Sequence, residues 1–156
     1  MVNSDGSEPV ELTNNKSTHY WYFSPVWFPD GSKIAYVSGE GIYNVYVMDN
    51  IGENVTKLYD YGGHSIAWSP DGKYLLNIIG TNGLFQIDSA GNRIRFPFGA
   101  TSAAWSPDGT KIAIITTISE GGLGKYVVAL TNLDGANFVP LPGDEFLCND
   151  GISWSP

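Results

Sequence analysis

The side chains that could act as a nucleophile, general base or metal ligand are few and scattered. There are two histidines, His19 and His64, and a single cysteine, Cys148. Nucleophilic catalysis needs a nucleophile beside a base that an acid orients, and segment 151–155 lacks the second glycine of a Gly-x-Ser-x-Gly elbow. No His or Cys pair has the spacing of a zinc site. The sequence therefore predicts a chain that is not an enzyme, without catalytic residues, a metal or a cofactor.

Two Asp-containing stretches, at Asp49 and Asp134, resemble calcium-binding loops only in part. Both lack the alternating acidic series and the distal Glu that such a loop requires, so we interpret them as turns. The chain carries a net charge of −8 and has 8 Lys+Arg, which argues against nucleic acid or an anionic membrane surface as a partner. No apolar stretch approaches the roughly 20 residues of a membrane span. The acidity favours solubility or attraction to a basic partner.

Aromatic residues collect in the segments that lead into repeated strands, at 19–23, 61–64, 96–99 and 146–149. Trp and Tyr dominate the residues that carry binding energy at protein interfaces, so these segments predict a protein or peptide partner. Phe96 and Phe98 are expected to pack between sheets instead. Three consecutive rings at 20–22 cannot all face one interior. The candidate binding residues at this rim are His19, Tyr20, Trp21, Tyr22 and His64.

The elements that would position these residues come from a repeated motif, Trp-x-Pro-Asp-Gly. Its three full copies and one partial copy are separated by steps of 41, 37 and 49 residues, close to the roughly 40–45 residues of a four-stranded propeller blade. The repeat anchors are Trp27, Asp30 and Gly31; Trp68, Asp71 and Gly72; Trp105, Asp108 and Gly109; and Trp154 of the partial copy Trp-Ser-Pro at 154–156.

Each repeat contains short apolar runs rich in Val, Ile, Tyr and Phe, separated by turns, and no helical periodicity. This pattern predicts an all-β fold of about three and a half four-stranded antiparallel blades. The predicted units are an outer strand of a preceding blade at 1–18, blades at 19–60, 61–98 and 99–142, and the first strand of a next blade at 143–156. Residues 1–8 parallel 48–53, which places the start of the chain near the end of a blade.

The Pro-Asp-Gly segment has the chemistry of a tight turn. Proline suits the second position of a type I turn, Asp the third, and Gly supplies the positive φ that closes a hairpin with a bulge. The three Asp side chains can also accept hydrogen bonds from nearby backbone amides. The Trp before each turn is expected to anchor the contact between neighbouring blades.

Over essentially all of its length the chain resembles the TolB-like, or WD40-like (PD40), β-propeller repeat family, whose motif is Trp-Ser-Pro-Asp-Gly, then Lys-x-Ile-Ala, then Ile-Tyr-Val-Met-Asp. Phe28 replaces the Ser in the first copy. The resemblance implies part of a ring of six, or seven, blades and a non-catalytic module for protein or peptide binding in the periplasm or outside the cell. It also allows the gating propeller of a prolyl-oligopeptidase-like or dipeptidyl-peptidase-like serine peptidase. A structural repeat array of a cell-surface protein is a third reading.

Three and a half blades are too few for the four to eight that close a typical propeller. The chain is therefore expected to be a fragment of a longer protein, to assemble as two chains into one ring, or to form an unusual four-bladed ring. Open blade faces and unpaired strand edges favour association. We expect the isolated chain to self-associate or to be poorly stable.

Overall fold

The computed structural model describes residues 1–2, 5–13, 19–80, 83–120, 123–142 and 151–154. The predicted aromatic segment 146–149, the glycines at 121–122 and residues 155–156 of the partial fourth motif lie outside them. The described residues form twelve β-strands and no helix. Among them there is accordingly no helix long and apolar enough to span a membrane. The twelve strands form three antiparallel sheets of four. The predicted all-β fold is confirmed.

Each sheet follows the chain order of its strands and contains one copy of the Trp-x-Pro-Asp-Gly motif. Sheet 1 consists of β1 (Trp21–Trp27), β2 (Lys33–Glu40), β3 (Ile42–Asp49) and β4 (Thr56–Asp60). Sheet 2 consists of β5 (Ser65–Trp68), β6 (Tyr74–Ile79), β7 (Gly83–Asp88) and β8 (Arg93–Arg95). Sheet 3 consists of β9 (Ser102–Trp105), β10 (Ile112–Glu120), β11 (Leu123–Thr131) and β12 (Val139–Pro140).

The Pro-Asp-Gly segments form the same hairpin turn in all three sheets, as the sequence predicts. The amides of Gly31, Gly72 and Gly109 donate to the carbonyl three residues earlier at 2.8–2.9 Å. The three glycines have φ of 73°, 70° and 69°, the left-handed region where a Cβ is unfavourable. The carboxylate of the preceding Asp accepts the backbone amide two residues on at 2.8–3.1 Å in each turn.

The turn in sheet 1 differs from the other two turns at the second residue of the motif. In sheet 2 the Ser69 hydroxyl donates to Asp71 at 2.7 Å, and Ser106 donates to Asp108 at 2.6 Å in sheet 3. The hydrogen bond from Ser69 is the main reason that the pKa of Asp71 falls to about 2. Sheet 1 has Phe28 in this place, so its turn lacks the hydroxyl contact.

The sheets stack face to face, and their cores lie between them. Sheets 2 and 3 enclose a cluster that includes Leu76, Leu84 and Ile112. Sheets 1 and 2 enclose a second cluster that includes Val37 and Leu75. Burial on both faces explains why β2, β6 and β10 are apolar at consecutive positions rather than alternating.

The first residues of the chain repeat the turn between β11 and β12. Met1 and Val10 exchange two backbone hydrogen bonds, at 2.6 and 2.7 Å. Gly6 has φ 82° and Glu8 φ 50°, nearly the values of 79° and 53° at positions 135 and 137. Leu12 packs against the side of sheet 1 that faces away from sheet 2. Residues 1–2 and 5–13 thus form a hairpin in the layer next to sheet 1.

Candidate functional site

One end of the stacked sheets carries the turn from β2 to β3 and the segments that lead into β1 and β5. We call it the rim end; the Pro-Asp-Gly turns lie at the opposite end. The sequence-predicted binding residues before β5 and at the start of β1 fall at the rim end. His19 and His64 are both exposed there.

The three consecutive rings at the start of β1 point in different directions. Trp21 is 65% exposed, Tyr20 43% and Tyr22 40%. Tyr22 lies opposite Ser38 in β2, and its ring centroid is 6.0 Å from that of Tyr36, on the side of sheet 1 away from sheet 2. Trp21 lies opposite Gly39 and, because side chains alternate along a strand, projects from the other side.

His64 belongs to an aromatic cluster formed by Phe23, Tyr43 and His64. The imidazole stacks on Phe23 at 5.9 Å between centroids and lies 6.3 Å from Tyr43. Phe23 and Tyr43 meet edge to face at 4.9 Å. The Ser24 hydroxyl donates to the His64 carbonyl at 2.5 Å, which joins β1 to the segment before β5. This cluster closes the rim end between sheets 1 and 2.

The segment before β5 is held by a buried amide side chain. Asn77 is fully buried; its Oδ1 accepts the Gly63 amide at 2.8 Å, and its Nδ2 donates to the Tyr61 carbonyl at 3.4 Å. A Cβ at Gly63 would lie 1.5 Å from the Ile78 carbonyl oxygen, so only glycine fits. Tyr61, with φ 65°, is 61% exposed. The buried amide therefore holds a segment that presents Tyr61 to solvent.

Sequence reasoning missed Tyr43, Tyr61 and Ile42 as rim residues. Ile42, at the start of β3, is 62% exposed. Tyr43 lies far from His64 in the chain, and only the register that sets it opposite Gly39 brings the two together. Tyr61 lay in a segment that the sequence singled out, but its exposure depends on the buried contacts beneath it.

The titratable groups around the rim end include the exposed His19 and His64 and the ion pair between Asp60 and Lys57. The nearest acidic side chain with an ion pair is Asp60, which lies 2.6 Å from Lys57 and raises the pKa of that ammonium. Burial raises the pKa of the Tyr36 hydroxyl. Across the described ranges no group of three or more His, Cys, Asp or Glu side chains could hold a metal ion. The arrangement is suited to apolar and aromatic contact.

Two of the four motif tryptophans, Trp105 and Trp154, join their layer to the one before it by a hydrogen bond. Trp105 is 7% exposed, and its Nε1 donates to the Ala67 carbonyl in β5 at 3.1 Å. Trp154 repeats this contact one step later, donating to the Ala104 carbonyl in β9 at 3.1 Å. The same hydrogen bond from indole to main chain therefore joins sheet 3 to sheet 2 and residues 151–154 to sheet 3.

The other two motif tryptophans depart from this contact. The Nε1 of Trp68 is buried without a hydrogen bond to any described residue, and the ring meets Phe28 edge to face at 5.1 Å. Trp27 is 51% exposed. Position in the motif thus does not determine how a tryptophan is buried, because burial also depends on the neighbouring layer.

Comparison with solved structures identifies the architecture. An oligogalacturonate lyase in complex with manganese is similar over 85% of this chain and 40% of its own, with a TM-score of 0.66 and 17% identity. The oligogalacturonate lyase of Vibrio parahaemolyticus covers 74% of this chain and 37% of its own, with a TM-score of 0.59 and 15% identity. The tricorn protease covers 70% of this chain and 12% of its own, with a TM-score of 0.56 and 14% identity.

No protein-family model matches the chain, and no curated protein matches it. The chain spans less than half the length of each of the three similar structures. At these identities the similarity establishes the fold alone. The chain has the fold of part of a β-propeller, with sheets 1 to 3 as three successive blades.

Proposed function

We propose that this chain is a non-catalytic β-propeller module of the TolB-like kind, which binds a protein or peptide at its rim end. The proposal rests on one observation. Large apolar side chains that are 40–65% exposed gather at this end of blade 1 and the segment that follows it, namely Tyr20, Trp21, Tyr22, Ile42 and Tyr61. Large apolar residues that remain exposed at one end of a domain are typical of an interaction site.

The chemistry of these side chains favours a peptide over a small polar ligand. Trp and Tyr bring a large contact area with few rotatable bonds, so little conformational entropy is lost when they bind. The Phe23–Tyr43–His64 cluster and the buried amide of Asn77 support the rim from below. Support of this kind lowers the cost of ordering the site on binding.

The net charge of the chain indicates which charged residues the peptide partner carries. With a net charge of −8, the module attracts a basic segment over a distance of about one Debye length, roughly 8–10 Å at physiological salt. The partner that fits best is therefore a peptide segment with apolar side chains for the rim and basic residues beside them. Its association rate is expected to fall as salt is added.

Selection from a random peptide library tests the proposal. The chain is used to select binding peptides, and affinities for the enriched peptides are measured by fluorescence titration for the wild type and for Trp21→Ala and Tyr61→Ala. Removing a central Trp or Tyr is expected to weaken binding by about tenfold or more. Ile51→Ala serves as the matched control, because Ile51 is 64% exposed at the opposite end.

Two results would contradict the proposal. One is a library that yields no peptide enriched above background. The other is a set of enriched peptides whose affinities fall as much with Ile51→Ala as with the two rim variants. Thermal melts of all variants, followed by circular dichroism, show whether each protein is folded when it is titrated.

A further inference from the structure

A cavity of about 290 Å³ lies between the Pro-Asp-Gly turns of sheets 2 and 3. Both of its walls belong to complete four-stranded sheets. Its lining includes Ser69 and Asp71 from sheet 2 and Trp105, Asp108 and Gly109 from sheet 3. An apolar cavity of roughly 150 Å³ is already large enough to hold benzene. The cavity lies at the end opposite to the rim end, so its ligand is separate from the peptide proposed above.

The corresponding space between sheets 1 and 2 is filled by an aromatic ring of the chain itself. Phe28 is the second residue of the first motif, and its ring meets the Trp68 ring edge to face at 5.1 Å between centroids. The same ring covers Gly72 so closely that a Cβ built there would lie 2.3 Å from the Cζ of Phe28. One tryptophan and one glycine of the motif therefore form a surface on which a phenyl ring packs.

The tryptophan and the glycine recur between sheets 2 and 3, but the phenyl ring does not. Trp105 and Gly109 hold the same motif positions, and both line the cavity. The residue equivalent to Phe28 is Ser69, whose hydroxyl donates to Asp71 at 2.7 Å. The nearest atom to a Cβ built at Gly109 would lie 3.7 Å away, an ordinary van der Waals distance. The cavity thus has the walls and the space for a ring in the place that corresponds to Phe28.

The charges at the cavity favour a ring that carries an ammonium group. The carboxylates of Asp71 and Asp108 both line the cavity, together with the ring of Tyr74. Asp71 pairs with the exposed ammonium of Lys73 at 3.0 Å, so this carboxylate already accepts a cation as a partner. None of the described residues that line the cavity is itself a Lys or Arg. Aromatic faces attract cations as well.

We propose that this cavity binds a small aromatic amine. The ring of the amine packs against Trp105 and Gly109, and its ammonium group lies near the carboxylates of Asp71 and Asp108. A saturated amine of the same size lacks the aromatic contact with the indole. An aromatic acid is repelled by the two carboxylates. The site therefore selects for a ring and a positive charge together.

NMR titrations that follow the backbone amides of the intact chain test this site, with benzylamine as the probe. Benzylamine is expected to shift the amide resonance of Gly109 with a dissociation constant of about 1 mM, an ordinary affinity for a ligand of so few atoms. Cyclohexylmethylamine has the charge without the aromatic ring, and benzoate has the ring with the opposite charge. Each should bind at least about threefold more weakly than benzylamine. Equal affinity of benzylamine and either comparison compound would overturn the proposal.

Substitutions at Ser69 separate the filling of the cavity from the loss of the Ser69 hydroxyl. Ser69→Phe places a ring of the chain in the cavity and should weaken benzylamine binding by at least about tenfold, because two rings cannot share the space. Ser69→Ala is the matched control, since it removes the same hydroxyl without filling the cavity, and its dissociation constant should stay within about twofold of the wild type. Equal weakening by both substitutions would contradict the proposal. Circular dichroism melts show whether each variant is folded.

Phe28→Ser is an independent test that does not require Ser69→Phe to fold. Removing the ring between sheets 1 and 2 should create a second site of the same kind, so benzylamine should also shift the amide resonance of Gly72. The wild type should show no such shift at Gly72, because Phe28 covers it. A Phe28→Ser chain without a response at Gly72, or a wild type without a response at Gly109, overturns the proposal.

Discussion

Replacing Gly72 by alanine tests how the first two sheets fit together. The Pro-Asp-Gly turns of sheets 1 and 2 have almost the same backbone, with φ of 73° at Gly31 and 70° at Gly72, but different surroundings. A Cβ at Gly31 would meet nothing within 4 Å, whereas a Cβ at Gly72 would lie 2.3 Å from the Cζ of Phe28. The two substitutions therefore share one cost and differ in another.

The shared cost is the left-handed backbone, which an alanine adopts at about 1–2 kcal/mol. At Gly72 the ring of Phe28 must also move, and it would leave its edge-to-face contact with Trp68 at 5.1 Å. Such a contact contributes about 0.5–1.5 kcal/mol beyond the area that it buries. We therefore expect Gly72→Ala to lower the free energy of unfolding by about 0.5–1.5 kcal/mol more than Gly31→Ala does.

Equilibrium unfolding in urea, followed by circular dichroism at equal protein concentration, measures this difference. Gly109→Ala is a second control, since its φ is 69° and the nearest atom to its Cβ would be Pro70 Cδ at an ordinary 3.7 Å. In a Phe28→Ser background the excess cost at Gly72 should disappear. Equal destabilisation at Gly31 and Gly72, or an excess that persists without the Phe28 ring, would show that contact with this ring is not the cause of the difference.

Two further predictions concern single hydrogen bonds. Trp105→Phe leaves the Ala67 carbonyl without its indole donor and should lower the free energy of unfolding in urea by about 1–3 kcal/mol. Trp68→Phe removes a buried donor that has no acceptor among the described residues, so it should lower that free energy by less than about 1 kcal/mol. The opposite ranking would contradict the assignment of these contacts. Ser69→Ala should raise the pKa of Asp71 from about 2 toward 3.8 in an NMR titration. Because the folded-state pKa of Asp71 lies below the unfolded one, Asp71 stabilises the fold above pH 3.8 and loses this effect as the pH falls to about 2. The Ser69→Ala variant should therefore lose less stability across that pH interval than the wild type. An unchanged pKa of Asp71 would show that the Ser69 hydroxyl is not the cause of the shift.

The hairpins were the most predictable part of the fold, because residues adjacent in the sequence determine the conformation of a tight turn. Proline, Asp and Gly in that order suit one turn and few others, and the turns at 28–33, 69–74 and 106–111 have that geometry. The strand order of the sheets was predictable too, because four short strands joined by such turns have one simple antiparallel arrangement.

The faces of the sheets were less predictable, because they depend on which layer lies opposite. Trp27 and Trp105 occupy the same motif position, yet one is 51% and the other 7% exposed. The aromatic cluster at the rim end joins Phe23 and Tyr43 to His64 from three separate segments. Only the strand register, including the bulge between Phe23 and Val26, sets these rings side by side.

The indole contact between layers has a consequence for how such a chain can lengthen or shorten. The acceptor of this hydrogen bond is a main-chain carbonyl, which every residue possesses. The contact between sheets 2 and 3 would therefore persist if a whole repeat were exchanged or duplicated there. The contact between sheets 1 and 2 is different, because the Phe28 ring lies against Gly72 and meets the Trp68 ring edge to face. Sheet 3 could thus be exchanged on its own, while sheets 1 and 2 are matched to each other and must keep their order along the chain.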